Sequence, residues 1–141
     1  MTSYIIGTTL SNIILYNIKI LTQNIYNIIG YINHNPDIKL KEELMELDIE
    51  FKIKIVELLL NNINTDKIMV KLCLNGLSDC LSLIEKELIN IKNKLKYNNS
   101  LYIFYNWRKY EFQSNMNILK ILNTILMNRQ KLLFDLINIK C

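Results

Sequence analysis

The chain reads as all-α, an up-down antiparallel bundle of about four long helices, and three observations predict it. Apolar residues recur in alternating steps of four and three over nearly the whole length. Polar breaks fall only where such a pattern would need to turn. Glycine and proline, the commonest interrupters of helices, number three and one among 141 residues. Residues 1–141 form one domain by this reading, large enough for a core of its own.

The first segment runs from about Ser3 to Ile32. Ile14, Ile18, Leu21, Ile25, Ile28 and Ile32 hold an unbroken stripe. The segment carries a single charged side chain before residue 37, Lys19. It lacks a basic leader region and a cleavage site. Asn12, Asn17, Thr22, Gln23, Asn24 and Asn27 interrupt every turn, so it is expected to be an amphipathic helix rather than a signal or a membrane span. The NHNPD stretch from Asn33 to Asp37 stops it, with Pro36 the strongest break in the chain.

The second segment, about Ile38 to Ile63, is two-sided. Leu47 to Ile55 alternates apolar with charged residues, as a strand would. The same stretch carries two helical stripes. One is Leu40, Leu44, Leu47, Phe51, Ile55 and Leu58; the other is Ile49, Ile53, Val56, Leu60 and Ile63. Asp48–Lys52 and Glu50–Lys54 are favourable helical pairs, and no partner strand exists elsewhere, so a helix is expected. Read as one continuous helix it is apolar on two opposite faces. Such a helix is either central in the fold or has one face covered by a second protein or a second copy.

Asn64, Thr65 and Asp66 offer a cap for the third segment. There Val70, Leu74, Leu77, Leu81, Ile84, Leu88, Ile91 and Leu95 give the clearest stripe in the chain. Gly76 within it suggests the close approach of a neighbour. Tyr97 to Ser100 read as a turn, with Ser100 capping a fourth segment from Leu101 to Ile139 that is interrupted near Gln113 to Asn117. Segments three and four then form a helical hairpin.

The seam of the fourth segment passes through Leu101, Tyr105, Arg108, Phe112, Asn115, Leu119, Leu122, Leu126, Arg129, Leu133 and Leu136. Arg108 and Arg129 are the only arginines. A charge on an apolar seam needs a partner, since an unpaired buried charge is costly. Each arginine is expected to reach an acid, a carbonyl array or a ligand. The seven acids of residues 37–57, with Glu46, Glu50 and Glu57 near helical spacing, are the nearest reservoir of opposite charge. Beside Arg108 stands an aromatic and basic cluster. Tyr102, Tyr105, Trp107, Arg108, Lys109 and Tyr110, with Arg129, are the candidate partner-binding residues.

Chemistry is thin by comparison. His34 is the one histidine and falls in a turn. Cys73 and Cys80 lie seven residues apart on an apolar face, the pattern of reduced core thiols. Glu42, Glu43, Glu46 and Glu50 read as a solvated face. The three glycines are isolated, so no phosphate loop is present. No catalytic residue, metal ligand or cofactor is expected. The absence of alanine and the excess of Ile, Asn and Lys point to an AT-rich genome, such as that of a large DNA virus or a parasite.

The expectation is a non-enzymatic interaction or structural protein, intracellular or in a virion. It would bind a partner protein, associate with itself, or serve as a subunit of a larger assembly. The alternative is a nucleic-acid or anionic-surface binder using the basic final third. Residues 96–141 hold seven basic and two acidic groups.

Overall fold

The computed structural model describes residues 2–61, 63, 67–101 and 110–138, with side chains from residue 12 onward. The protein is all-helical in these residues, and its helices pack together around one core. Five helices follow in order: α1 (Thr2–Asn33), α2 (Ile38–Leu47), α3 (Ile49–Asn61), α4 (Ile68–Ser100) and α5 (Gln113–Ile137).

α4 is the axis of the fold, flanked along its length by α1 and α5. Cross-links fix the directions. Asn24 bonds to Glu85 and Asn35 to Asn99, so α1 and α4 run parallel. Cys80 meets Leu122 and Glu87 meets Asn115, so α4 and α5 run antiparallel. α3 touches α1 and α5, and α2 touches α5. All eight stripe positions from Val70 to Leu95 are buried, as the spacing requires.

The turn after α1 is built as the sequence suggests. The Asp37 side chain accepts from the Leu40 N–H and caps α2. Asn35 accepts from the Asp37 N–H. His34 is exposed, and its Nδ1 meets the Gly30 carbonyl at 2.6 Å in the last turn of α1.

The second segment differs from the single helix expected. Asp48 takes a left-handed conformation, φ 52 and ψ 40, and divides it into α2 and α3. Aspartate is among the few residues that tolerate this region. One non-helical residue shifts the phase of everything after it. Leu40, Leu44 and Leu47 are buried before the break; Ile49, Ile53 and Val56 are buried after it. The two stripes are thus successive halves of one core face, not opposite faces of one helix. Phe51 and Leu58, which would have continued the first stripe, are turned outward and are more than half exposed.

The end of the third segment also differs. The helix expected from Leu101 runs into residues 102–109, which lie outside the described residues. Tyr97 to Ser100 form the last turn of α4 rather than a turn between segments, and α4 ends at Ser100. Its hydroxyl donates back to the Tyr97 carbonyl. This turn persists because it has partners: Leu101 beyond it is buried, and the Tyr97 ring packs at 4.9 Å from that of Tyr110. In the fourth segment α5 begins at Gln113, within the stretch where an interruption is expected. Asn64 to Asp66 lie outside the described residues; α4 begins after Lys67, which makes no side-chain cap.

Candidate interaction surface

Among the described residues four polar side chains are buried: Thr22 in α1, Asn35 just after it, and Glu87 and Asn115 in the α4–α5 seam. Glu87 is 8% exposed and Asn115 is 5% exposed. The Asn115 amide donates to Glu87 Oε1 at 2.6 Å, and its own oxygen accepts from Lys94 Nζ at 2.6 Å. Lys94 donates also to the Glu111 carbonyl at 3.3 Å, and its ammonium lies 5.8 Å from the centre of the Tyr110 ring. Asn90 reaches the second Glu87 oxygen at 3.5 Å. A carboxylate with such partners is held without the full penalty of an unpaired buried charge.

Asn115 stands where the apolar seam is expected to carry a polar residue. Glu87 escapes sequence reasoning, although a signal exists: Cys73, Cys80, Glu87 and Lys94 follow one another at seven-residue steps. The heptad that aligns the two cysteines continues onto the polar pair.

Arg129 is half-buried against α4 and donates through Nη1 to the Gly76 carbonyl. Its partner is a backbone carbonyl, not an acid of the second segment. The reason is proximity. The Arg129 side chain lies along Gly76, its Cδ 3.6 Å from a Cβ built there, an ordinary contact distance. The neighbour that Gly76 suggests is therefore an arginine side chain. Cys80, one turn on, donates to the Leu122 carbonyl at 3.5 Å. Burial pushes its thiol pKa up, and the nearby Arg129 charge opposes that shift. Cys73 is likewise buried, with its thiol pushed up by desolvation. Both are free thiols, as their spacing predicts.

Of the other candidate residues, Tyr110 is exposed and held at the end of α4. Asn98 takes both its backbone groups, accepting from the N–H at 2.8 Å and donating to the C=O at 3.0 Å. Tyr102, Tyr105, Trp107, Arg108 and Lys109 lie outside the described residues. Tyr110 and Arg129 are not brought together. Tyr110 sits by the last turn of α4, whereas Arg129 lies against Gly76 in its first half.

Large apolar side chains line two outer surfaces. One is a groove between α3 and α5, where Phe51, Ile55 and Leu59 face Met127 and Phe134 across Lys52 and Lys131. Phe51 and Phe134 are 59% and 51% exposed. The other follows the outer shoulder of α4 and α5. Leu72 and Leu83 fall on the side of α4 that carries Gly76; Ile118, Ile121 and Leu132 fall near the side of α5 that carries Arg129. All five are at least 45% exposed.

Among the described residues no group of three or more His, Cys, Asp or Glu side chains is placed to hold a metal ion. No described helix is long and apolar enough to cross a membrane. Comparison with protein-family models, curated proteins and solved structures gave no match.

Proposed function

We infer that this is a non-enzymatic binding protein, an up-down helical bundle with α4 and α5 as its hairpin, which presents apolar surface to another protein. The groove between α3 and α5 carries the reading. Phe51 and Phe134 stand more than half exposed on its two walls, where isolated exposed apolar residues would not share a concave surface. Aromatic side chains in such a groove are the usual anchors of a protein interface. The groove owes its Phe51 wall to the break at Asp48, which turns that residue out of the core.

Three lysines of α4 are engaged within the fold, while Lys120 and Lys131 of α5 stand exposed. Lys94 points into the α4–α5 seam, and Lys92 and Lys96 lie 5.0 and 5.9 Å from the Tyr31 ring centre. Their charges are engaged along α1 and α5 rather than ranged along one free strip.

The test is capture of partners from the native source by immobilised protein, read by mass spectrometry. Wild type is compared with Phe51→Asp and Phe134→Asp. A partner retained by wild type and lost from both variants, with helix content unchanged, supports the reading. Equal retention by all three proteins contradicts it, and so does retention only of nucleic acid released as salt rises.

A further inference from the structure

We propose that the outer face of the α4–α5 hairpin is the interface of a two-fold homodimer, in which α4 packs antiparallel on α4 of a second copy. The apolar centre comes first. The bond from Cys80 to Leu122 brings Leu83 and Ile121 to nearly the same level of the hairpin. They are 51% and 63% exposed, with Ile118 and the half-buried Ile125 beside them. With the other exposed apolar groups of this face they present on the order of 500 Å² of apolar surface, at the upper end of what a monomer leaves bare. A stable complex buries roughly 800 Å² on each partner, so this patch with a polar rim is of the right size.

Charge then selects the second copy as the occupant. Asp79 and Lys86 are both exposed and stand on either side of Leu83 on the outer flank of α4. Their midpoint falls between residues 82 and 83. A two-fold axis there, perpendicular to the helix, carries each residue onto the level of the other, about 5 Å from the axis. Asp79 of each copy then faces Lys86 of its mate, twice over, while Leu83 and Ile121 meet their own counterparts at the axis. A face that is its own electrostatic complement is what an isologous contact requires. A different partner would have no need for that symmetry.

The proposal uses a surface separate from the α3–α5 groove, so the two readings fail independently. Sedimentation velocity from 1 to 200 µM tests it on wild type, Ile121→Glu, Asp79→Lys, Lys86→Glu and the Asp79→Lys/Lys86→Glu double variant. Circular dichroism checks that each is folded. Wild type is expected to dimerise within this range and Ile121→Glu to stay monomeric. Each single charge variant should dissociate at least tenfold more readily, and the double variant should return to within about threefold of wild type. A wild type that is monomeric throughout overturns the proposal. So does a dimer indifferent to Ile121→Glu, or a double variant no tighter than the singles. Loss of partner capture in Phe51→Asp with an intact dimer speaks to the groove alone.

Discussion

The two long seams of α4 differ in kind. Toward α1 the centre is aliphatic: Leu74, Leu81, Leu88 and Leu95 meet Ile18, Ile25, Ile28 and Ile32. Of the polar contacts between the two helices there, Asn24–Glu85 and Lys92 over the Tyr31 ring stay at the rim, and Asn35 reaches Asn99 beyond the end of α1. The buried Thr22 bonds within its own helix, to the Lys19 carbonyl. Toward α5 the seam is crossed by Glu87–Asn115–Lys94 near one end and by Arg129–Gly76 nearer the other. An aliphatic seam supplies burial but little choice of register, because one leucine packs much as the next. Polar pins align only when both helices are in place, so they select one register at some cost in stability. The parallel pair is thus fixed chiefly by packing, and the antiparallel pair by packing and hydrogen bonds together.

Perturbing each seam should expose this difference. The largest effect is expected on the aliphatic side: Leu81→Ala should lower stability by about 3 kcal/mol through a cavity, without altering which residues meet. Urea unfolding measures the loss, and amide spectra should keep the pattern of the fold. On the polar side, Asn115→Leu strands the Glu87 carboxylate and should cost about 2 kcal/mol. Here the spectra should broaden or shift along both helices, because the pin has gone.

Smaller changes sharpen the contrast between strained and unstrained backbone. Asp48 holds the left-handed break between α2 and α3. Asp48→Gly should therefore stabilise by a few tenths to about 1 kcal/mol, whereas Asp48→Val should destabilise. Gly76 is helical with no positive φ, and an added methyl would sit at ordinary contact distance from Arg129. Gly76→Ala should raise stability by about 0.5 to 1 kcal/mol through helix propensity, with the Arg129 bond retained. Thermal unfolding compares the two sites directly.

The weakest perturbation is alkaline pH. Burial, with Glu57 and Glu50 behind it, raises the Tyr26 pKa, and burial raises that of Cys80 despite Arg129. A group whose folded pKa is raised keeps its full stabilising share below its unfolded value. It loses that share as pH climbs toward the folded value. Stability should accordingly decline above the ordinary thiol range and again above the ordinary phenol range. Cys80→Ser should shrink the first step, leaving the share of Cys73, and Tyr26→Phe should shrink the second.

Much of this was legible in the residues. The stripes of α1 and α4 are the core positions, and the seam written through Asn115, Leu119, Leu122, Leu126 and Leu133 is buried at all five. What escaped was a matter of phase and partnership. A single left-handed residue at Asp48 moves the buried face by one position. Periodicity alone reports that as a second face. Glu87 looks like any helical glutamate until its Asn115 and Asn90 neighbours are in place. The seam marks Arg129 as needing an acid, a carbonyl or a ligand, and the Gly76 carbonyl is the one it meets; which carbonyl has no sequence signature. The groove between α3 and α5 is likewise invisible in one dimension. Phe51 leaves its stripe at Asp48, and Phe134 belongs to no stripe of the fourth segment.

The account rests on the α4–α5 seam being pinned by a buried polar pair, which fixes the face the hairpin offers outward. A double-mutant cycle on Glu87→Leu and Asn115→Leu tests this most directly. Each single change should cost about 2 kcal/mol or more, because it leaves the other group buried without its partner. The double change should recover most of that loss. Two small losses that simply add would mean that the pair does not hold the seam, and would contradict the account.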